Sequence, residues 1–495
     1  MFLVQLFSAP SRTSPTSLRS QKRSHLDTEK YGLSSRNDES LSDFSDIKEL
    51  HYTHGLTRRL LEWGVEARGI APAPVSERTD THFYKIFFLW FSWNFNILSF
   101  SAGTLGPVIF GLGLRDSCLV ILFFNLLSSA PPAYLTTWGP KLGLRQMCQA
   151  RYSFGYYGTI IPSILNLASM SGFCILNCIL GGQTLSSLSN GNLSWSVGIV
   201  IISVISLLVS FCGNKVLHWY ERLAWIPVLV VYVVAIGLGG KHLSNQPVTE
   251  PATASAILSF AATISGFVIT YSPLGSDFST YYVPSVPGWK LFWYSFLGFN
   301  IPIITIQCLG AAVVGAASSV PAWSQGYENG NVGGLLEAML QPVGNFGKFL
   351  TVLMALSVAG NVAPTLYSFG FNFQVFMPFL VSVPRYAFSL LATAIIIPLS
   401  IVGQHKFYDT LTNFLGLIGY WASAFLAVIL MEHFVIRRGD FASYDLRYWN
   451  SPGKLPTGLP ALGACLLACS LIVHLWIKFG SSGHSLKPPE TLASR

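Results

Sequence analysis

The feature that most constrains this chain is a series of long apolar stretches that begins at residue 86 and continues almost to the C-terminus. Each has about 18–25 residues, the length with which an α-helix crosses a hydrocarbon core about 30 Å thick. Only 11% of the residues are charged, against roughly 25% in an ordinary soluble domain. We therefore predict an all-α polytopic membrane protein. Its eleven expected spans are residues 86–111, 117–137, 154–185, 194–213, 222–240, 255–275, 290–317, 335–372, 383–402, 410–434 and 457–477.

These spans divide the chain into four regions. Residues 1–85 are polar, and we expect a cytoplasmic tail that is largely disordered before about residue 55. Residues 86–240 hold spans one to five, and residues 255–434 hold spans six to ten. Residues 435–495 are expected to form a cytoplasmic loop, one further span and a polar C-terminal tail.

Basic residues predict the orientation, because cytoplasmic loops are enriched in Lys and Arg. With the N-terminus inside, eleven basic residues fall in inner loops and only four in outer loops. The same orientation places the tripeptide Asn192-Leu193-Ser194 outside, where Asn192 is a weak candidate for glycosylation. The outer basic residues are Arg115, Lys241, Lys348 and Lys406.

Two spans carry residues that can interrupt a membrane helix. Residues 99–107 of the first span include Gly103, Gly106 and Pro107, and residues 265–277 around the end of the sixth include Pro273 and Gly275. Interruptions at matching positions of two halves are typical of inverted-repeat transporters, whose substrate site lies near mid-membrane. The alternative is that Gly and Pro are simply common in membrane helices.

Polar and aromatic side chains within the spans indicate the kind of ligand. Spans one, three and eight contain amides but no deeply placed Asp or Glu, which a cationic substrate would need. Nor do they offer the Arg or Lys that an anion would need. A neutral, flat ligand that stacks on aromatic rings and pairs with amides fits best, and nucleobases have this chemistry. The residues concerned are Asn94, Asn96, Asn166, Asn177 and Asn361, with the aromatic Trp90, Trp93, Phe173 and Tyr271.

Several motifs resemble those of fungal purine–cytosine permeases, which belong to the nucleobase–cation symporter-1 family. They occur in order between about residues 60 and 455. They are WGVEARGI at 63–70, ERTD at 77–80, LGP at 105–107, FGYYG at 154–158, SDF at 276–278, NVAPTLYS at 361–368, GYW at 419–421 and EH at 432–433.

The resemblance implies a LeuT-like fold of two inverted five-helix repeats, with twelve spans as the family norm. It also implies cation-coupled import of cytosine and purines across the plasma membrane, with protons as the usual coupling ion in fungi. A four-helix bundle of spans one, two, six and seven would rock against a scaffold of spans three, four, eight and nine. The substrate-binding residues carried over from the family are Ser99, Phe173, Asn177, Tyr271, Asn361 and Thr365, and Pro364 is expected at a helix break.

The chain departs from the family pattern at three of these positions. Phe173 and Tyr271 stand where Trp is common, and Thr365 stands where we expect an Asn that grips the edge of a base. A hydroxyl replaces the donor and acceptor pair of an amide at Thr365, so altered substrate preference is expected. A same-family transporter of uracil, allantoin or a vitamin-like base therefore remains an alternative.

The C-terminal region also departs, because one apolar run is found after residue 457 where the family has two. A non-transporting or truncated paralogue is therefore a second alternative. Asp277 and Glu432 are the ionisable candidates for proton coupling, although a salt bridge or helix cap is the simpler role for each. Sodium coupling is the rival, and Ala359 and Gly360 lack the hydroxyls it would use. We expect no enzyme activity, cofactor, metal or nucleic-acid partner, and the sequence does not indicate an oligomeric state.

Overall fold

The computed structural model describes residues 69–189, 192–211, 222–377, 383 and 385–480, and the helices in these ranges account for the expected spans. The predicted N-terminal tail up to residue 68 and the polar end from residue 481 lie outside the described residues. The α-helices are α1 (Lys85–Asn94), α2 (Ile97–Val108), α3 (Leu114–Thr136), α4 (Trp138–Leu142), α5 (Gln146–Gly158), α6 (Ile160–Ser187), α7 (Trp195–Phe211), α8 (Trp225–Gly239), α9 (Ala254–Ile269), α10 (Gly288–Ala317), α11 (Pro321–Leu340), α12 (Gly344–Leu356), α13 (Ala359–Phe376), α14 (Arg385–Gly403), α15 (Phe407–Met431) and α16 (Leu459–Gly480).

Within the described residues, seven helical segments are long and apolar enough to cross a membrane. One of them contains both α14 and α15. Three shorter apolar helices, α2, α7 and the apolar part of α16, supply the remaining spans. The prediction of an all-α polytopic protein with about eleven spans is therefore confirmed.

The boundaries of the eighth span differ from those predicted. Residues 335–340 belong to α11, a helix with a kink at Gly330 and Asn331. The span itself is formed by α12 and α13, which are separated by a turn at Ser357 and Val358. Apolar residues continue from α11 into α12, so hydropathy alone did not separate the two elements.

The outer faces of the helices are apolar while their inner faces carry amides. Leu127, Leu258 and Leu417 are 69%, 63% and 70% exposed, respectively. By contrast, Asn125 and Gln307 are fully buried and hydrogen-bonded to each other over 2.8 Å between α3 and α10. Lipid replaces water around a membrane protein, so apolar residues face outward and polar pairs join helices inside.

The helices pack in two groups, which define the bundle and the scaffold. Helix α10 lies against α1, α2 and α3, and α3 also lies against α9. Helix α6 lies against α7, α13 and α14, and α7 also contacts α13 and α14. These groups are spans one, two, six and seven and spans three, four, eight and nine, as the family resemblance implied.

Candidate functional site

The first span is interrupted between α1 and α2. Phe95 has φ −91° and ψ 66°, and Asn96 is extended with φ −146° and ψ 175°. Asn96 is the N-cap of α2, since its Oδ1 accepts the backbone N–H of Ser99 over 3.0 Å. Its Nδ2 donates to the carbonyl of Trp93 over 2.6 Å. One amide therefore satisfies polar backbone groups on both sides of the break.

Side chains from two other elements form hydrogen bonds with the backbone at the first break. The Tyr232 hydroxyl of α8 donates to the Asn96 carbonyl over 3.1 Å. The Ile97 N–H donates to the Ser357 hydroxyl, at the turn between α12 and α13, over 3.3 Å. Unwound backbone persists at membrane depth only where protein groups satisfy it, and these side chains do so here.

The predicted position of this break, at residues 99–107, was wrong. Gly103, Gly106 and Pro107 all lie within α2, which continues through them. A Cβ atom at Gly103 would lie 1.9 Å from the Gln307 carbonyl oxygen of α10, and one at Gly106 would lie 2.5 Å from the Ser117 hydroxyl. These glycines permit close helix packing, and Pro107 lies in the last turn of α2.

The second interruption lies where the sequence placed it. Helix α9 ends at Ile269, and a 3-10 turn follows at Ser272–Leu274. Pro273 is in this turn and Gly275 follows it. Pro364, in contrast, was wrongly expected at a break, because α13 continues through it. A turn at Ser357 and Val358, both with helical backbone angles, lies between α12 and α13.

A small cavity lies beside both breaks, at the boundary between bundle and scaffold. Four of the six predicted substrate-binding residues line it, namely Phe173, Tyr271, Asn361 and Thr365. None of its lining residues is charged. The other lining residues are Trp93, Asn166, Ser169, Met170, Thr270 and Leu274.

Asn177 and Ser99 do not line the cavity. Asn177 lies behind it and donates from Nδ2 to the Oδ1 of Asn361 over 3.1 Å. The Nδ2 of Asn361 in turn donates to the Trp93 carbonyl over 3.1 Å. Ser99 is buried in the first turn of α2, and its hydroxyl has no hydrogen-bond partner among the described residues. Asn177 thus orients Asn361, which ties the scaffold to the first break.

Tyr271 forms the aromatic wall on the bundle side. Its ring lies 5.6 Å from Trp90 in an edge arrangement and 5.2 Å from Phe299, between centroids. On the scaffold side, Phe173 is held edge-on by Phe414, at 5.4 Å. Thr365 donates its hydroxyl to the Asn361 carbonyl over 2.7 Å. The cavity thus combines two ring-bearing walls with an amide and a hydroxyl.

Asn166 is recognisable in the sequence only as a polar residue within a span, and Ser169 and Met170 are not distinguished there from other residues of the helix. The available signal is spacing, because Asn166, Met170, Phe173 and Asn177 recur at intervals of four, three and four along α6. Such residues share one face of a helix. This face is the one that borders the cavity.

Neither candidate coupling residue lines the cavity. The Asp277 carboxylate accepts the backbone N–H of Gln146, at the start of α5, over 2.8 Å. Burial raises the pKa of Asp277 to about 6, although Arg145 opposes this shift. Glu432 accepts from the Arg437 Nε over 2.8 Å. A helix cap and a salt bridge are therefore the contacts of these two carboxylates.

The remaining predicted residue, Asn192, is exposed in the connection between α6 and α7. This position agrees with the accessibility that an acceptor of glycosylation needs.

Comparison with known proteins identifies the family. A family model described as permease for cytosine/purines, uracil, thiamine, allantoin matches residues 72–493. The chain belongs to this family. The purine-cytosine permease fcyB of Emericella nidulans is 34% identical over 410 residues, covering 82% of this chain and 80% of the relative. The purine-cytosine permease FCY2 of Saccharomyces cerevisiae is 31% identical, covering 89% and 84%. As expected from the sequence, this is a family of transporters and not of enzymes.

Solved structures confirm the fold. Mhp1, a nucleobase–cation-symport-1 family transporter, in a closed conformation with bromovinylhydantoin bound, superposes with a TM-score of 0.60 at 15% identity. The match covers 83% of this chain and 96% of Mhp1. A sodium-coupled sialic acid symporter in a substrate-bound outward-open state matches with a TM-score of 0.51 at 13% identity, covering 84% and 96%. The fold is thus that of the LeuT-like transporters.

Proposed function

We propose that this permease imports purine bases, cytosine or both across the plasma membrane by proton symport. The observation that carries the proposal is the uncharged cavity at the two helix breaks, where Phe173 and Tyr271 lie with the Asn361 amide. A small apolar pocket with a few directed polar groups is typical of small-molecule sites. A nucleobase offers ring faces to the aromatic side chains and a hydrogen-bonding edge to the amide.

The bonds around Asn361 suggest how binding acts on the two groups of helices. Its Oδ1 accepts from Asn177 of the scaffold, and its Nδ2 donates to Trp93 of the bundle. A base that forms hydrogen bonds with the Asn361 amide competes with these two contacts. Its binding therefore alters a direct link between the scaffold and the bundle. We infer that this exchange is coupled to rocking of the bundle against the scaffold, the movement that gives alternating access.

Proton coupling is favoured over sodium by the side chains at the start of α13, next to the first break. Ala359 and Gly360, which begin α13, provide no hydroxyl. The nearby Ser357 hydroxyl already donates to Met354 and accepts from Ile97. Sodium favours several oxygen ligands, and these residues offer few. A coupling ion drives transport only by favouring one conformation over the other, and Asp277 remains the candidate proton carrier.

A second candidate substrate is a hydroxylated heterocycle such as a B6 vitamer. The cavity is lined by one serine and two threonines, Ser169, Thr270 and Thr365, and the last stands where an Asn is expected. The vitamin B6 transporter TPN1 of Saccharomyces cerevisiae is 29% identical over 81% of this chain and 71% of the relative.

For either substrate, the basic residues in the inner loops favour a cytoplasmic N-terminus.

Uptake by a permease-deficient yeast that expresses the full chain tests these proposals. The cells receive radiolabelled cytosine, adenine, hypoxanthine, uracil, allantoin or pyridoxine, and empty-vector cells are the control. Saturable uptake of cytosine or a purine is expected, and it should persist without sodium but collapse with a protonophore. Uptake of pyridoxine alone favours the second candidate. Strict sodium dependence contradicts proton coupling, and no uptake from cells with the protein at their surface contradicts both substrates.

A further inference from the structure

Two amide pairs join α6 to α13, one at each end of the segment that borders the cavity. Asn177 donates from Nδ2 to Asn361 over 3.1 Å, and Asn166 donates from Nδ2 to Asn372 over 2.7 Å. The pairs are eleven residues apart on both antiparallel helices, a rise of about 16 Å. The first pair holds Asn361 in the site described above, whereas the second pair holds Asn166, which lines the cavity and was given no role there.

The bonds of Asn372 fix the orientation of the Asn166 amide. Asn372 donates from Nδ2 to the Ser368 carbonyl over 3.2 Å, so its Oδ1 faces Asn166. Asn166 must therefore direct its Nδ2 to Asn372. Its Oδ1 accepts no hydrogen bond from any residue that the structure describes, and the side chain lines the cavity. The free group at this end of the cavity is thus an oriented acceptor.

A second acceptor lies one turn further along α6. The Ser169 hydroxyl donates to the Leu165 carbonyl over 3.0 Å and accepts from the Trp421 Nε1 over 2.8 Å. A hydroxyl has two acceptor lone pairs, so one remains for a ligand. Both Asn166 and Ser169 line the cavity without any charged neighbour in its wall. A ligand edge that bears N–H donors is complementary to this end.

This end belongs to the same cavity as the ring-bearing walls but lies further towards the start of α6. Asn166 precedes Phe173 by seven residues, which is about 10 Å along α6. A pyrimidine in contact with the Phe173 ring does not extend that far. We infer that Asn166, oriented by Asn372, and Ser169 form a second binding station for the amino-bearing edge of a neutral heterocycle. The inference rests on the proposed function, and it adds a step in which the ligand moves along α6 after leaving Phe173.

The variant Asn166→Leu tests the station in permease-deficient yeast, with initial rates of radiolabelled cytosine uptake divided by the amount of protein at the cell surface. Loss of one hydrogen bond at a step after binding is expected to lower Vmax about fivefold to tenfold, with KM changed by less than about twofold. Asn361→Ala should instead raise KM. Ser163→Ala is the matched control, because Ser163 is buried on the same helix but does not line the cavity.

Asn372→Leu provides a second test if Asn166→Leu does not reach the membrane. It leaves Asn166 in place but removes its orienting partner, so a smaller fall in Vmax is expected. Uracil lacks the amino group of cytosine. For both variants, the uptake of uracil should therefore fall less than the uptake of cytosine. Unchanged turnover per surface molecule, or a rise in KM like that of Asn361→Ala, overturns the second station alone. Absence of any base uptake by the wild type overturns the proposed function and the station with it.

Discussion

The hydroxyl of Tyr271 donates a 2.9 Å hydrogen bond to the Oδ1 of Asn94, and this bond joins the two interrupted helices. Asn94 is the last residue of α1, and Tyr271 follows the end of α9. Asn94 also donates from Nδ2 to the Trp90 carbonyl over 2.8 Å. The Tyr271 ring is thereby fixed at the cavity wall by a contact that a Trp at this position would not reproduce with the same atoms.

Tyr271→Phe is expected to destabilise the protein while preserving the ring face. It leaves the buried Asn94 Oδ1 without its donor, which costs about 1–3 kcal/mol of unfolding free energy. Thermal unfolding of the purified protein in detergent measures the effect. Tyr84→Phe, at an exposed tyrosine, is the control and should change little. Equal melting temperatures for both variants would show that the Tyr271–Asn94 bond contributes nothing.

Gly103→Ala is expected to disrupt the packing of α2 on α10. Its Cβ would lie 1.9 Å from the Gln307 carbonyl, a backbone atom that cannot move without its helix. Overpacking of this kind costs about 1–3 kcal/mol or more. Gly237→Ala in α8 is the matched control, since a Cβ there meets nothing within 4 Å. Surface expression should fall for Gly103→Ala only, and a well-expressed, stable Gly103→Ala protein contradicts the prediction.

Thr365→Asn is expected to strengthen nucleobase binding. Thr365 lines the cavity but donates its hydroxyl to the Asn361 carbonyl, whereas an amide would offer a donor and an acceptor to the base. A gain of about tenfold in affinity corresponds to roughly 1.4 kcal/mol. Competition against radiolabelled cytosine measures it, with Thr365→Val as the comparison that removes the hydroxyl. Weaker cytosine binding by Thr365→Asn than by the wild type would argue that the cavity is built for another ligand.

Asp277 is expected to make stability depend on pH. Its pKa rises from an ordinary value of 3.8 to about 6 because it is buried, so the folded protein favours the protonated acid. The contribution of Asp277 to the free energy of unfolding is therefore fully present below pH 3.8 and is lost as the pH rises through 6. The loss amounts to at most about 3 kcal/mol.

Asp277→Asn separates this titration from the cap, because its side-chain oxygen can still accept the Gln146 N–H. Chemical unfolding of both purified proteins between pH 4 and pH 8 measures the difference. Between these limits the wild type should lose stability relative to Asp277→Asn. Parallel pH profiles would show that Asp277 does not titrate in this range.

Several features of this fold followed from sequence because they depend on composition and local pattern. Apolar length predicted the spans, and Pro273 correctly indicated the second break. Gly103 and Gly106 led to a wrong position for the first break, because glycine occurs both at close helix contacts and at helix interruptions. Only the position of α10 distinguishes these two roles. The better signal for the first break was the pair Asn94 and Asn96. Their Nδ2 groups donate to carbonyls before the break, and the Asn96 Oδ1 accepts the Ser99 N–H after it.

Four of the ten residues that line the cavity were predicted from the sequence as substrate-binding, but their arrangement was not predictable. Asn177 was expected at the ligand and instead lies behind Asn361, because which amide faces a cavity depends on how α6 and α13 meet. Asn166 was visible as a polar residue in a span. Its orientation depends on Asn372, which is 206 positions away in the sequence. Contacts of such separation are set by tertiary packing and leave no local signal.

A neutral planar heterocycle is expected to bind between Phe173 and Tyr271. A structure of the purified full chain determined with saturating cytosine or adenine tests it most directly. We expect density for one flat ring in contact with both aromatic side chains, with its edge within hydrogen-bonding distance of the Asn361 amide. An empty cavity at saturation, or a base bound outside the space bordered by these three residues, would contradict it.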